Sequence, residues 1–376
     1  MVDAQHRDLS FRREWLAPES ESEGIGAVGV WYASREDVKS ALDFAETARN
    51  NGQVDRALEA ASRSIESLTR RRFYPETGTR FFDWPDRSGS RPWRLWLDSD
   101  ELISVTTLTA AGEVIAATDF FLEPANSGPP FTHVEIDLAS SAAFASGDTH
   151  QRAVSIAGVF GYSAEEETVG SLSGSLAADL GATASVSWTR NIGVGDILKV
   201  DSERLIVTGR SMVDSTQNLG GAGLAASMSD VTVPVTTGSA FLIDQTILID
   251  SERMRIVDIA GNNLTVKRAV DGTVLAAHTA GVDVYAHTGV TVSRAQLGTT
   301  LAAHSSAATV TRHVVPGQVR SLCIAEAVNQ LQQEGAAYGR EVGAGEGSRP
   351  ASGAGLDGLR TEVRLTYGRR TRTRAV

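Results

Sequence analysis

The chain has 376 residues, 41% of them hydrophobic, and a formal net charge of −11. That length predicts roughly two to three domains and the apolar content excludes global disorder, while the acidic balance argues against tight wrapping of nucleic acid, which needs a basic surface. The single cysteine, Cys323, excludes a disulfide framework and a multi-cysteine metal site.

Residues 1–33 read as an N-terminal arm. Asp3, Asp8 and Glu14 deny it the apolar centre of a secretion signal, and Glu19, Glu21 and Glu23 alternate with Ser20 and Ser22. Such a stretch orders only when a partner holds it. No run of apolar residues is long enough to predict a membrane span.

Residues 34–163 predict a helix pair followed by antiparallel strands. Ser34 with Asp37 resembles a capping box, with Asp in place of the usual Glu, and Val38, Ala41, Leu42, Ala45 and Ala48 follow at helical spacing. A second stripe carries Val54, Leu58, Ala61, Ile65 and Leu68, and ends at Arg70, Arg71 and Arg72. Those arginines suit the negative end of a helix dipole; the sharper reading is a contact with a neighbouring copy or an acidic partner. Phe81, Phe82 and Trp84, then Leu95, Trp96 and Leu97 across a Pro85–Pro92 loop, predict a hairpin. Further strand signals are Leu102–Thr109, turned by Ala111-Gly112, then Val114–Ile115, Phe120–Leu122 and Val134–Leu138. In Val154–Ser163, Val154, Ile156, Phe160 and Tyr162 alternate, with Gly158 on the same face, which predicts the last strand of this unit.

Residues 164–315 predict an inserted β domain containing an internal repeat. Val200-Asp201-Ser202-Glu203-Arg204-Leu205 returns as Ile249-Asp250-Ser251-Glu252-Arg253-Met254. Thr265-Val266-Lys267-Arg268-Ala269, leading to Gly272–His278, returns as Thr291-Val292-Ser293-Arg294-Ala295, leading to Gly298–His304. The order is A, A, B, B, where tandem duplication would give A, B, A, B. One module, about 231–286, is therefore expected inside another, about 186–210 and 290–312, with 213–230 as a Gly/Ser-rich linker. Pro316 then opens a core helix over 316–342, with Val319, Leu322, Cys323, Ile324, Val328 and Leu331 on its apolar stripe. Residues 343–376 read as a Gly-rich hinge and a basic tail. Val363, Leu365 and Tyr367 alternate as a short strand, followed by Arg369, Arg370, Arg372 and Arg374.

No motif commits to catalysis, to a metal or to a cofactor. Gly24–Gly29 and Gly353–Gly358 match the dinucleotide fingerprint, but neither follows a strand and opens a helix. Asp98–Glu101 lacks the rest of a calcium loop. The pairs Asp201/Glu203 and Asp250/Glu252 invite acid–base chemistry, but each precedes an arginine in a repeated turn, so surface salt bridging is the expected role. His278 and His304 are equivalent repeat positions, which predicts a shared hydrogen bond closing a turn and not a metal site.

The order of elements carries a resemblance. Arg-Arg-Arg-Phe-Tyr (70–74), Thr-Arg-Phe-Phe-Asp-Trp (79–84), Leu-Trp-Leu-Asp (95–98), Phe-Phe-Leu-Glu-Pro (120–124), Val154–Tyr162, a helix opening at Val-Pro-Gly (315–317) and a Gly-rich run to a basic tail stand in sequence. This resembles the head-to-tail connector, or adaptor, proteins of long-tailed bacteriophages, over about 34–163 and 315–370. The nested modules resemble an insertion seen in phages of actinobacteria. The resemblance implies an α+β connector core interrupted by a nested all-β insertion, and a structural, non-enzymatic role. It implies a homo-oligomeric ring, usually a dodecamer, in the virion neck, assembled in the host cytoplasm. Its implied partners are the portal protein, head-completion (stopper) or tail-terminator proteins, and DNA passing through the channel without sequence-specific binding. The C-terminal segment, with Val363, Leu365, Tyr367, Arg369, Arg370, Arg372 and Arg374, is then expected to reach the portal. The alternatives are a host-surface or glycan-binding virion protein, with Trp188, Phe241 and Tyr285 as the aromatics of its β modules, and a hydrolase using the Asp/Glu pairs.

Overall fold

The structure is a computed structural model that describes residues 29–42, 50–85, 91–180, 183–187, 192–335, 341–342, 349–350 and 354–369. It is an α+β protein whose strands all pair antiparallel. Most of the N-terminal arm, Ala45 and Ala48, Trp188, most of the hinge, and Arg370, Arg372 and Arg374 lie outside the described residues.

Helix α1 (Arg35–Ala41) starts at the expected capping box: Asp37 N donates to Ser34 Oγ at 3.1 Å, and Ser34 N donates to Asp37 Oδ2 at 2.9 Å. The second helix, α2 (Asn51–Thr69), buries Val54, Leu58, Ala61 and Ile65 and ends at Arg70, whose φ of 57° is left-handed. Two small sheets follow. Strands β1 (Glu76–Phe82), β3 (Leu102–Ala110), β4 (Glu113–Ile115) and β7 (Val154–Phe160) order as β1-β7-β3-β4. Strands β2 (Arg94–Trp96), β5 (Phe120–Glu123) and β6 (His133–Ile136) order as β2-β6-β5. Ala111 and Gly112, both at positive φ, turn the β3–β4 hairpin as expected.

The hairpin expected around residues 85–92 does not form. Strand β1 pairs with β7 and β2 with β6, so the chain changes sheet across that loop. Apolar pattern marks strands but carries no partner choice; here each strand takes a different partner much farther along the chain. Strand β7 does fulfil its pattern: Val154, Ile156, Gly158 and Phe160 are buried between the two neighbours β1 and β3. A Cβ at Gly158 would meet Ser104 O, so glycine is what lets β3 approach there.

A single ten-stranded sheet follows. Its strands are β8 (Glu166–Ser171), β9 (Thr183–Ser185), β10 (Ile197–Val200), β11 (Glu203–Asn218), β12 (Thr232–Pro234), β13 (Thr246–Ile249), β14 (Glu252–Ala260), β15 (Asn263–Lys267), β16 (Asp283–Gln296) and β17 (Thr309–His313). The order is β12-β15-β14-β13-β16-β11-β10-β17-β8, with β9 also on β16. Strands β11 and β16 pair from Arg204↔Gln296 to Asn218↔Asp283, with bulges along the way. This corrects the expected linker at 213–230. Its first residues, Val213–Asn218, are strand, and a continuous antiparallel ribbon joins the two repeat regions. Val213–Gln217 is rich in β-branched and hydroxyl side chains, which tolerate strand as readily as loop.

Helix α3 (Gly317–Gly335) returns to pack on α2, and a fourth helix, α4 (Ala354–Tyr367), packs on both. The apolar core does not divide at Ser163, where a separate inserted domain was expected to begin. Val54, Leu58 and Phe73 share one cluster with Leu322, Val363, Ile192, Val207 and Val310. Polar contacts bind the same junction: Arg35 N donates to Val194 O at 3.0 Å, Val194 N to Glu36 Oε2 at 2.7 Å, and His313 Nε2 lies 2.6 Å from Phe73 O. A second cluster, built on Ile247, Met254, Ile256 and Leu264, is separate. A third fills the small sheets.

The deletion that the cores permit is thus the distal one. Replacing 215–284 by an Asn-Gly turn closes the ribbon at the Asp214↔Tyr285 pair. That protein should unfold in one cooperative transition with its helical circular dichroism retained. Replacing 166–314 by a Gly/Ser linker should abolish cooperative unfolding, because it strips the β wall from α2 and α3.

Candidate functional site

The two repeat regions each centre on a buried ionic cluster. Glu203 is fully buried, and accepts from Arg294 Nε at 2.8 Å and Nη2 at 2.7 Å, from Ala295 N at 2.9 Å and from Ala302 N at 3.0 Å. His304 bridges Glu203 Oε2 at 2.9 Å and Asp201 Oδ2 at 2.7 Å. Glu252 repeats the arrangement: Arg268 Nε at 2.7 Å and Nη2 at 2.8 Å, Ala269 N and Ala276 N at 3.0 Å, and His278 between Glu252 at 2.9 Å and Asp250 at 2.6 Å.

The expectation of surface salt bridges with the following arginine is therefore corrected. Glu203 and Glu252 bind Arg294 and Arg268 of the other repeat block, whose side chains are wholly buried. The histidines have the expected turn-closing role. Sequence also understated each unit. Arg294 donates to Ala177 O and Arg268 to Ala225 O, while Leu176 and Leu224 pair with His304 and His278. The match of Leu176-Ala177-Ala178 with Leu224-Ala225-Ala226 was the available signal.

Burial pushes the Glu203 and Glu252 carboxyls up, but the hydrogen bonds from arginine, backbone and histidine outweigh it, and both settle at about 2. A catalytic acid at neutral pH needs the reverse, a raised carboxyl with access to substrate. Both carboxylates are instead held ionised, sealed from solvent and saturated with donors. Among the described residues no group of His, Cys, Asp and Glu is placed to hold a metal ion.

The expected partner-contact residues gather where the ends of α2 and of the C-terminal segment meet. The segment carrying Val363, Leu365 and Tyr367 is helix α4 and not a strand. Its alternation is real, but Leu356, Leu359, Val363 and Tyr367 recur at helical spacing and all four pack on the core. Val363 is 1% exposed, and the Tyr367 ring lies 5.7 Å from those of Phe73 and Tyr162. Both are consumed within the chain. Leu365 points outward at 77% exposure. Arg360 pairs with Glu326 at 2.7 Å, and Arg369 N donates to Thr69 O at 3.0 Å, which brings the start of the basic tail to the end of α2.

There the three arginines separate in role. Arg71 lies 3.2 Å from Glu101 and over the Tyr162 ring, and Arg72 pairs with Glu76 at 3.0 Å. Arg70 caps α2 through its backbone, and its guanidinium has no ion pair or hydrogen bond among the described residues. With Arg80, Asp100 and Glu101 they line an open cleft of about 210 Å³. Comparison with protein-family models, curated proteins and solved structures finds no match.

Two outcomes test the ionic clusters. Glu252→Ala should cost about 3–5 kcal/mol in denaturant unfolding, because it leaves Arg268 buried without a counter-ion. Stability should also be pH-dependent. A carboxyl lowered when folded contributes fully above its ordinary value of 4.5 and loses that contribution as pH falls toward about 2. Unfolding midpoints measured between these values should fall less steeply for Glu203→Gln than for the natural chain.

Proposed function

We propose that this chain is a structural head-to-tail adaptor of a phage virion. Copies form a ring beneath the portal protein in the neck, twelve in the usual arrangement of the resembling family. The ring joins capsid to tail through stopper or terminator proteins and leaves a channel for DNA. The nested β modules project from the connector core as an insertion within one chain. The observation that carries this reading is the return of α3, about 250 residues after α2, to complete one helical layer with α4. That order, helix pair, small sheets, returning helix and C-terminal segment, is the basis of the resemblance. The hydrolase reading loses support, since Glu203 and Glu252 are locked in buried ion pairs. The glycan-binding reading loses Phe241, which is 2% exposed in the distal core.

The expected outcome is ring formation by the purified protein, alone or on the portal protein encoded alongside it, seen by electron microscopy. A chain that stays monomeric with portal present overturns the proposal. The basic tail has its own test. Truncation after Leu359 would remove Val363 and Tyr367 from the core and unfold it. Truncation after Arg369 removes Arg370, Arg372 and Arg374 and spares α4. It should keep the natural melting temperature and weaken portal docking, with a shallower dependence on salt than the full chain.

A further inference from the structure

The four-stranded sheet β1-β7-β3-β4 ends in two strands that have no strand on their outer side among the described residues. One face of this sheet is spent on the core, through Leu108, Ile115 and Ile156. The other face is built in rows that cross the strands. One row runs Phe81, Ser155, Thr109, Val114. Its two ends are the exposed large apolar residues of this sheet, Phe81 at 61% and Val114 at 67%. The next row, Thr79, Ala157 and Thr107, is uncharged like the first. The charged residues of the two edge strands, Glu76, Arg80 and Glu113, fall on the opposite face. In a chain of net charge −11, an uncharged face is where two copies meet without like-charge repulsion.

The two edges also match in their backbone groups. Thr77 N donates away from β7, to Leu297 O at 2.9 Å, so Thr79 and Phe81, further along a strand paired without bulges, point their N–H and C=O outward too. At the other edge, the two-residue Ala111-Gly112 turn makes Ala110 and Glu113 the closing hydrogen-bonded pair. Thr109 and Val114 are then a non-hydrogen-bonded pair, and Val114 directs its N–H and C=O outward. Successive strands alternate in direction, so β4 of a second copy laid against β1 is again antiparallel. We propose that β1 of one copy pairs with β4 of the next, with Phe81 opposite Val114 of a second copy, so that the sheet continues from copy to copy. Open strand edges are templates for another chain, and neither of these carries the lysine or proline that commonly blocks one. The two edges differ, so the contact is heterologous and repeats in one direction, as a ring requires. An edge as short as β4 is a weak contact for two copies, but in a closed ring each copy makes it twice. The inference rests on the ring reading for closure and names the surface that joins neighbours.

The test is cysteine trapping in the full-length protein. Cys323 does not compete, since it is buried and its thiol is pushed up to about 11. A hydrogen-bonded antiparallel pair sets its Cα atoms about 5.5 Å apart, which a disulfide spans. Within one chain Phe81 and Val114 are three strand spacings apart, about 14 Å, too far to link to each other. Oxidised Phe81→Cys/Val114→Cys protein, with its portal protein present, should run as a ladder of covalent oligomers on a denaturing gel. A mixture of the two single variants should give covalent dimers, and each single variant alone should give none. Thr79→Cys/Ala116→Cys keeps Phe81 and Val114 and should give the same ladder, which covers a loss of association in the first pair. Phe81→Lys/Val114→Lys should keep the natural melting temperature, both side chains being exposed, and lose the rings seen by electron microscopy. Rings that survive the lysine variant, rings in which neither cysteine pair links, or a single variant that links to itself overturn this contact and leave the ring reading standing. A chain that stays monomeric with portal present overturns both.

Discussion

The β half of this protein depends on a buried carboxylate bound bidentately by an arginine, made twice. Each Glu–Arg pair joins a hairpin turn to a later stretch of the chain, 91 residues on for 203 to 294 and 16 residues on for 252 to 268. Neither ion could be buried alone, because desolvation would cost several kcal/mol. Each arginine is satisfied further by backbone carbonyls, from Ala177 and Ala302 in one case and from Ala225, Asp230 and Ala276 in the other. The pair therefore specifies where four separate stretches of backbone must meet. A hydrophobic contact of the same size would be stabilising but indifferent to direction.

Because the 203–294 pair spans the 252–268 pair in sequence, one cluster closes only around the other. Strands β11 and β16 carry the chain out to the distal cluster and back. Their pairing makes the outward and return paths one ribbon instead of two loose linkers. The proximal cluster in turn sits on the helices through Val194, Val207 and Val310, so the layer formed by α2, α3 and α4 and the nearer β wall exclude water together. Only the distal cluster has a core that is its own.

Charge is used differently on the two halves. In the sheet, carboxylates and arginines are buried, saturated and structurally committed. At the end of α2, Arg70, Arg71 and Arg72 are half-committed. One is spent on Glu101 with poor alignment, one shares Glu76 with Arg80, and one faces solvent. The start of the basic tail is held to this same corner through Thr69. The matched clusters are saturated with donors, whereas at this corner four carboxylates and four arginines pair unevenly, leaving Arg70 outside any ion pair among the described residues.

Sequence alone determined the features that are local or repeated. The Ser34–Asp37 capping box, the α2 stripe, the Ala111-Gly112 turn, the alternation of β7 and the A, A, B, B order were all legible, because each depends on neighbours in the chain or on self-similarity. Tertiary structure alone decided the rest. Strand pattern at Phe81–Phe82 and Leu95–Leu97 does not encode a partner, so β1 and β2 entered different sheets. Val363 and Tyr367 fit both period two and the helical stripe with Leu356 and Leu359. Their burial against Phe73 and Tyr162 selected the helix. Glu203 and Glu252 looked like surface residues because a charged side chain is buried only beside a partner. Their partners, Arg294 on β16 and Arg268 just past the end of β15, come from other segments, and sequence distance does not reveal which arginine will be close enough to offset desolvation.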